Sequence, residues 1–215
     1  MPAGTTGAGP PPPLLVACAL RIEEAALRSA GRAAGGGGMV LRTGMGPRAA
    51  DRSVARALAR PGMHRAAVLA TGFCAGLVPG MHPGDLVVAE ETRDPRGAVG
   101  CTGTALLAEA LARAAPGRTV HTGALTGSDH VVRGQERAQL RATGAVAVDM
   151  ESAATLWTAA APGRPVAAVR VIVDAPEHEL VRIGTVRGGI SAFRVLRAVM
   201  PAFYEWHRSL LLPRR

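Results

Sequence analysis

Short apolar runs alternate with stretches of helical periodicity from Leu14 to Val173, and this alternation confines the chain to an α/β fold. Strands that are apolar throughout and separated by helices build a largely parallel sheet covered on both faces. Strands are expected over 14–20, 39–43, 66–71, 85–89, 118–125, 145–149 and 166–173. Helices are expected over 21–30, from Pro47 through Leu58, and over 104–114, 135–141 and 152–161, with a long terminal helical region from about Gly188. The predicted architecture is a three-layer αβα sandwich around a central mixed, largely parallel sheet. No internal repeat is visible.

The glycine run at 35–38 and the segment Gly72-Phe73-Cys74-Ala75-Gly76 read as turns. Residues 1–13, rich in Gly, Thr and Pro, read as a flexible leader, and 14–215 as a single domain. Apolar runs are too short and too often interrupted for a membrane span. Nor does the N-terminus show a basic leader followed by an apolar core, so a cytoplasmic setting is expected.

The formal charge of +9 raises nucleic-acid binding, yet every cationic residue is Arg, there is no Lys, and the arginines are scattered rather than striped. Aromatic residues are not interleaved with them, so nucleic acid is not an expected partner. Cys18, Cys74 and Cys101 are odd in number and widely spaced, forming neither a disulfide framework nor a metal-ligand cluster.

Two of the apolar runs end in acids. Val146-Ala147-Val148-Asp149 delivers Met150-Glu151 into a small-residue helix, and 166–173 ends in Asp174 before a Pro-containing loop. Acids at the C-terminal ends of strands in an open α/β sheet mark the rim where ligands sit. From the residues alone, Asp174 equally suits a turn start or an arginine partner. Glu151 suits the first turn of a helix, and Met150 ordinary core filling.

Placed in order, these segments resemble the purine nucleoside phosphorylase and uridine phosphorylase superfamily, within it the methylthioadenosine/S-adenosylhomocysteine nucleosidases, and there the hopanoid-associated nucleoside phosphorylase subgroup. The carriers are Ala19-Leu20-Arg21-Ile22-Glu23-Glu24, Thr43-Gly44-Met45-Gly46, Thr71-Gly72-Phe73-Cys74-Ala75-Gly76-Leu77 with Gly84-Asp85-Leu86-Val87-Val88, Val148-Asp149-Met150-Glu151-Ser152-Ala153, and Val169-Arg170-Val171-Ile172-Val173-Asp174. The resemblance implies a phosphorylase/hydrolase-like fold and release of adenine from a purine nucleoside. An apolar 5′ substituent is implied, adenosylhopane being one such substrate. Methylthioadenosine/S-adenosylhomocysteine nucleosidase activity, or a non-catalytic nucleoside-binding protein on the same fold, are the alternatives.

It also implies roles. Asp174 would protonate or hydrogen-bond the departing base, Glu151 would bind the ribose hydroxyls with Met150 packing against the sugar, and Glu23 would activate the nucleophile, with Glu24 its neighbouring alternative. Arg170 would oppose protonation of Asp174 if its side chain turned the same way. Gly72 and Phe73 would border the sugar, while His130 and Val131 would lie near the purine. Phe73 and Val173 replace the small or Ser residues frequent in the family and make the pocket more apolar.

Hydrolysis and phosphorolysis both stay open. Arg48 and Arg21 are the candidate phosphate ligands, because a dianion held against a sugar needs clustered donors. No metal or organic cofactor is expected, with phosphate as the one co-substrate to test. A homodimer is implied by the resemblance. In the terminal region, Phe203, Tyr204 and Trp206 with basic flanks allow peripheral contact with a membrane, against the plainer role of closing the core.

Overall fold

The computed structural model describes residues 12–175 and 185–211; residues 1–11 of the leader expected over 1–13 lie outside these residues. Eight strands form one mixed sheet: β1 (Leu14–Cys18), β2 (Met39–Arg42), β3 (Ala67–Gly76), β4 (Leu86–Asp94), β5 (Gly97–Gly100), β6 (Val120–Gly127), β7 (Ala145–Asp149) and β8 (Val166–Asp174). Among the described residues seven helices flank it: α1 (Arg21–Ala33), α2 (Pro47–Leu58), α3 (Thr104–Ala114), α4 (Gln135–Ala142), α5 (Ser152–Ala159), α6 (Thr185–Ala198) and α7 (Met200–Ser209).

The three layers follow from period-two alternation in strands buried on both faces. Leu14, Val16, Leu69, Val88 and Val169 point toward α1, α3, α6 and α7; Leu15, Ala17, Val68, Val87 and Ala168 point toward α2 and α5. Two apolar cores therefore sandwich the sheet. Parallel pairing joins β1 to β2 and β3, β3 to β8, and β6 to β4 and β7, whereas β3–β7, β4–β8 and β4–β5 are antiparallel. Strands β3, β8, β4, β6 and β7 thus close on one another in a ring, which the sequence pattern did not announce.

Three differences from the expected elements have physical causes. Strand β3 runs on through Gly72–Gly76, because its pairing with β8 continues there with a register shift at Cys74/Ala75. Strand β4 extends past Ala89 into polar residues and turns back as β5, since both of its edges are paired even where its side chains are charged. The terminal helical region is split at Val199, with Pro201 in the first turn of α7, where its missing N–H costs nothing.

Phe203, Tyr204 and Trp206 are buried in the core beneath α3 and α1, and Trp206 Nε1 donates to the Thr102 carbonyl at 2.7 Å. They close the core rather than face outward. Among the described residues, no helix is long and apolar enough to cross a membrane.

Candidate active site

A cavity of about 220 Å³ opens where β1, β3, β7 and β8 end, and Glu23, Glu151 and Asp174 all line it. Each acid reaches it by a different local device. Glu23, in the first turn of α1, folds back under the strand end: the Ala19 and Leu20 amides donate to Oε2 at 2.9 and 2.8 Å, and the Phe73 amide donates to Oε1 at 2.9 Å. Only 1% of it is exposed. Three backbone donors hold this carboxylate in one orientation. Glu24 points the other way, pairing with Arg28 at 2.9 Å and Arg42 at 3.3 Å, so the register places Glu23 and not its neighbour in the cavity.

Glu151 sits between β7 and α5, and its Oε1 accepts from the Gly46 amide at 2.8 Å. Burial pushes its carboxyl above the usual carboxylate range; the Arg170 charge opposes this, and Asp149 adds to it. Gly46 holds φ +85°, which an L side chain rarely adopts, and that backbone turn aims its N–H at the acid.

Asp174 ends β8. Its Oδ2 lies 2.7 Å from Arg137 Nη2 of α4, while Oδ1 is buried without a hydrogen-bond partner. The arginine partner that the sequence offered as an alternative is therefore present, although the carboxyl also lines the cavity. It is not Arg170. That residue alternates onto the α2/α5 face, where it is buried, donates to Ser152 Oγ at 2.8 Å and pairs with Asp149.

The remaining expected residues divide. Phe73, Met150, Val131 and His130 are on the cavity wall. Val131 is 60% and Met45 70% exposed, so the mouth carries apolar side chains. His130 is exposed and bridges Asp129 (2.7 Å) and Glu136 (3.0 Å); these bonds, Asp129 foremost, raise its pKa above the usual imidazole value. Gly72 is not on the wall. A Cβ there would come within 2.5 Å of Glu23 Oε1 and 2.7 Å of Arg170 Nη1, so its bareness makes room for both charged groups.

Arg48 and Arg21, the expected phosphate ligands, do not line the acid-bearing cavity. Arg48 opens α2 and borders a larger, charged cavity of about 670 Å³ that shares Met150 and His130 with the first, while Arg21 is exposed at the start of α1. Among the described residues no arginine lines the acid-bearing cavity. Nor does any group of three or more His, Cys, Asp or Glu there form a metal site.

Sequence reasoning missed the Arg137 partner and the Asp149–Arg170 pair. A lone Arg inside the apolar run 166–173 was a usable signal, because a buried cation needs an acid, and Asp149 ended a neighbouring strand. For Arg137 no signal existed, since Arg137 and Arg141 are alike on a polar helix pattern. Cys74 also lines the cavity, and burial pushes its thiol far up, so it is a neutral wall residue.

The model of the phosphorylase superfamily matches residues 27–200. No curated protein is a significant match. Among solved structures, the chain is similar to the 5′-methylthioadenosine/S-adenosylhomocysteine nucleosidase of Neisseria meningitidis in complex with methylthio-immucillin-A, at 22% identity over 90% of this chain and 99% of that one, TM-score 0.74. It is similar to the S-adenosylhomocysteine nucleosidase of Streptococcus pyogenes in complex with 5-methylthiotubericidin (19% identity, 97% and 100% covered, TM-score 0.74). A third likeness is to the futalosine hydrolase of Helicobacter pylori (15% identity, 89% and 97% covered, TM-score 0.73).

Proposed function

Because this chain belongs to the phosphorylase superfamily and is an enzyme of N-glycosidic bond cleavage, we propose that it releases adenine from an adenosine carrying an apolar group at its 5′ carbon. The observation that carries this reading is the convergence of Glu23, Glu151 and Asp174 on one small cavity. As the bond from C1′ to the purine breaks, its electron pair leaves with the base and positive charge grows on the ribosyl ring. Asp174 protonates or hydrogen-bonds the departing purine through Oδ1, the oxygen that Arg137 leaves free, Glu151 accepts from the ribose hydroxyls with Met150 against the sugar, and Glu23 takes a proton from the attacking water. Contacts to those hydroxyls strengthen as the ring flattens.

Hydrolysis is the favoured branch, supported by Glu23 on the cavity wall and by the finding that, among the described residues, no arginine lines the cavity. Exposed Met45 and Val131 at the mouth suit an apolar 5′ substituent, a group as large as a hopane included; the adjoining cavity, bordered by Arg48, Asp51, Asp94 and Arg96, does not. Methylthioadenosine/S-adenosylhomocysteine nucleosidase activity is the second reading, favoured by the likeness to nucleosidases with those substrates in their names. In a homodimer the same exposed apolar residues would be covered by the second copy.

One assay tests this. Adenosine, methylthioadenosine and a 5′-alkylated adenosine are incubated with the protein, with and without phosphate, and free adenine and ribose phosphate are measured. The expected outcome is adenine without ribose phosphate, fastest from the alkylated substrates, and a loss of roughly 10²- to 10⁴-fold in Asp174→Asn. Equal turnover by that variant would remove Asp174 from the mechanism.

A further inference from the structure

We propose that Arg137 is a positioning residue for Asp174, fixing the carboxyl at the cavity wall so that it meets the leaving base in a single orientation. The inference rests on the reading of Asp174 as the leaving-group acid. Both side chains are largely buried, 9% and 14% exposed, and Nη2 lies 2.7 Å from Oδ2. Arg137 itself is off the cavity wall, so it acts through Asp174 and not on the substrate.

Burial makes the pair more than a surface ion bridge. Apart from the Nη2–Oδ2 contact, Arg137 Nε and Asp174 Oδ1 are buried with no hydrogen-bond partner, so among the described residues nothing else competes to orient either group. Asp174 is the last residue of β8, and among the described residues the buried guanidinium of Arg137 is the group that holds its carboxyl. Misplacing a reacting group by an ångström costs on the order of 10²-fold in rate.

The helix that supplies Arg137 also follows the segment carrying His130 and Val131, both on the cavity wall, and Glu136 beside Arg137 bonds His130 at 3.0 Å. One element therefore sets the acid and the adjacent wall together.

The test compares Arg137→Met, Arg137→Lys and Asp174→Asn on methylthioadenosine and on 4-nitrophenyl β-D-ribofuranoside, whose phenolate departs without a proton, with circular dichroism melts as the folding control. On methylthioadenosine, Arg137→Met is expected to lose roughly 10²-fold in kcat with KM changed only a few-fold, and Arg137→Lys to recover to within about tenfold of wild type. On the aryl riboside Arg137→Met should match wild type. Equal losses on both substrates would mean a merely structural role and overturn the proposal, as would full kcat in Arg137→Met or no recovery in Arg137→Lys. If wild type leaves the aryl riboside intact, recovery by lysine decides. An unimpaired Asp174→Asn would instead sink the underlying assignment, and an impaired one beside a normal Arg137→Met would sink this inference alone.

Discussion

Arg170 is buried among carboxylates: it pairs with Asp149, and Glu151 and Glu23 lie close enough to act on it. Burial works against its charge, and the three acids outweigh that. Replacing it by Met would leave Asp149 as an uncompensated buried charge, at a cost of about 3–5 kcal/mol in stability by urea denaturation. Adding Asp149→Asn should recover part of that loss. Glu151 gives a prediction of the opposite kind. Its folded-state pKa is raised, so the native state holds the proton more tightly than the unfolded chain, and stability falls as pH rises from the usual carboxylate value through the raised one. Glu151→Gln, which keeps an acceptor for the Gly46 amide, should melt above wild type at neutral pH, and the two melting temperatures should converge below the usual carboxylate range. A constant difference across pH would reject this account.

At the scale of elements, glycines decide two close approaches. In β3, Gly72 has φ +130° and faces Glu23 and Arg170, so Gly72→Ala is strained in its backbone and crowds the Glu23 carboxylate. It should cost roughly 1–3 kcal/mol and most of the activity, read by thermal melts and the adenine assay. In the run after α1, a Cβ on Gly36 would fall 2.0 Å from Tyr204 Cζ, which is backbone lying flat on a ring. Gly36→Ala should destabilise by a comparable amount while leaving KM unchanged. Both segments were readable only as turns. Their glycine content is visible in the chain, but whether glycine serves a turn, a strand or a close approach depends on what packs against it, and Tyr204 is 168 residues away from Gly36. By contrast, α3 and β7 have the bounds their periodicity predicts: α3 packs its apolar face into the core on the sheet, and β7 pairs with β6 from Ala145 to Asp149.

For the molecule as a whole, the terminal helix is committed to the interior. With Phe203 and Trp206 fully buried, Tyr204 8% exposed and Trp206 bonded to Thr102, the aromatic residues of α7 do not reach the surface as membrane anchors, and adsorption through this helix would fall to flanking residues such as Arg208. In a Trp157→Phe background, Trp206 emission should therefore stay unchanged on adding anionic vesicles; a blue shift or quenching would mean that α7 leaves the core. The exposed apolar pair at the cavity mouth is the stronger candidate for cover by a second copy. Sedimentation at micromolar concentration should show a dimer, and Met45→Glu should shift it toward monomer while wild-type-like melting is kept.

The chain's order of residues was enough for the class of fold, the two faces of its sheet, and the acids Glu151 and Asp174 at strand ends, because these depend on local periodicity and on where an apolar run stops. The ring of five strands, the choice of Glu23 over Glu24, the turning of Arg170 toward Asp149, and the pairing of Arg137 with Asp174 needed the assembled molecule. A buried charge takes whichever opposite charge the packing brings within about 3 Å, and that distance is set by elements far apart along the chain.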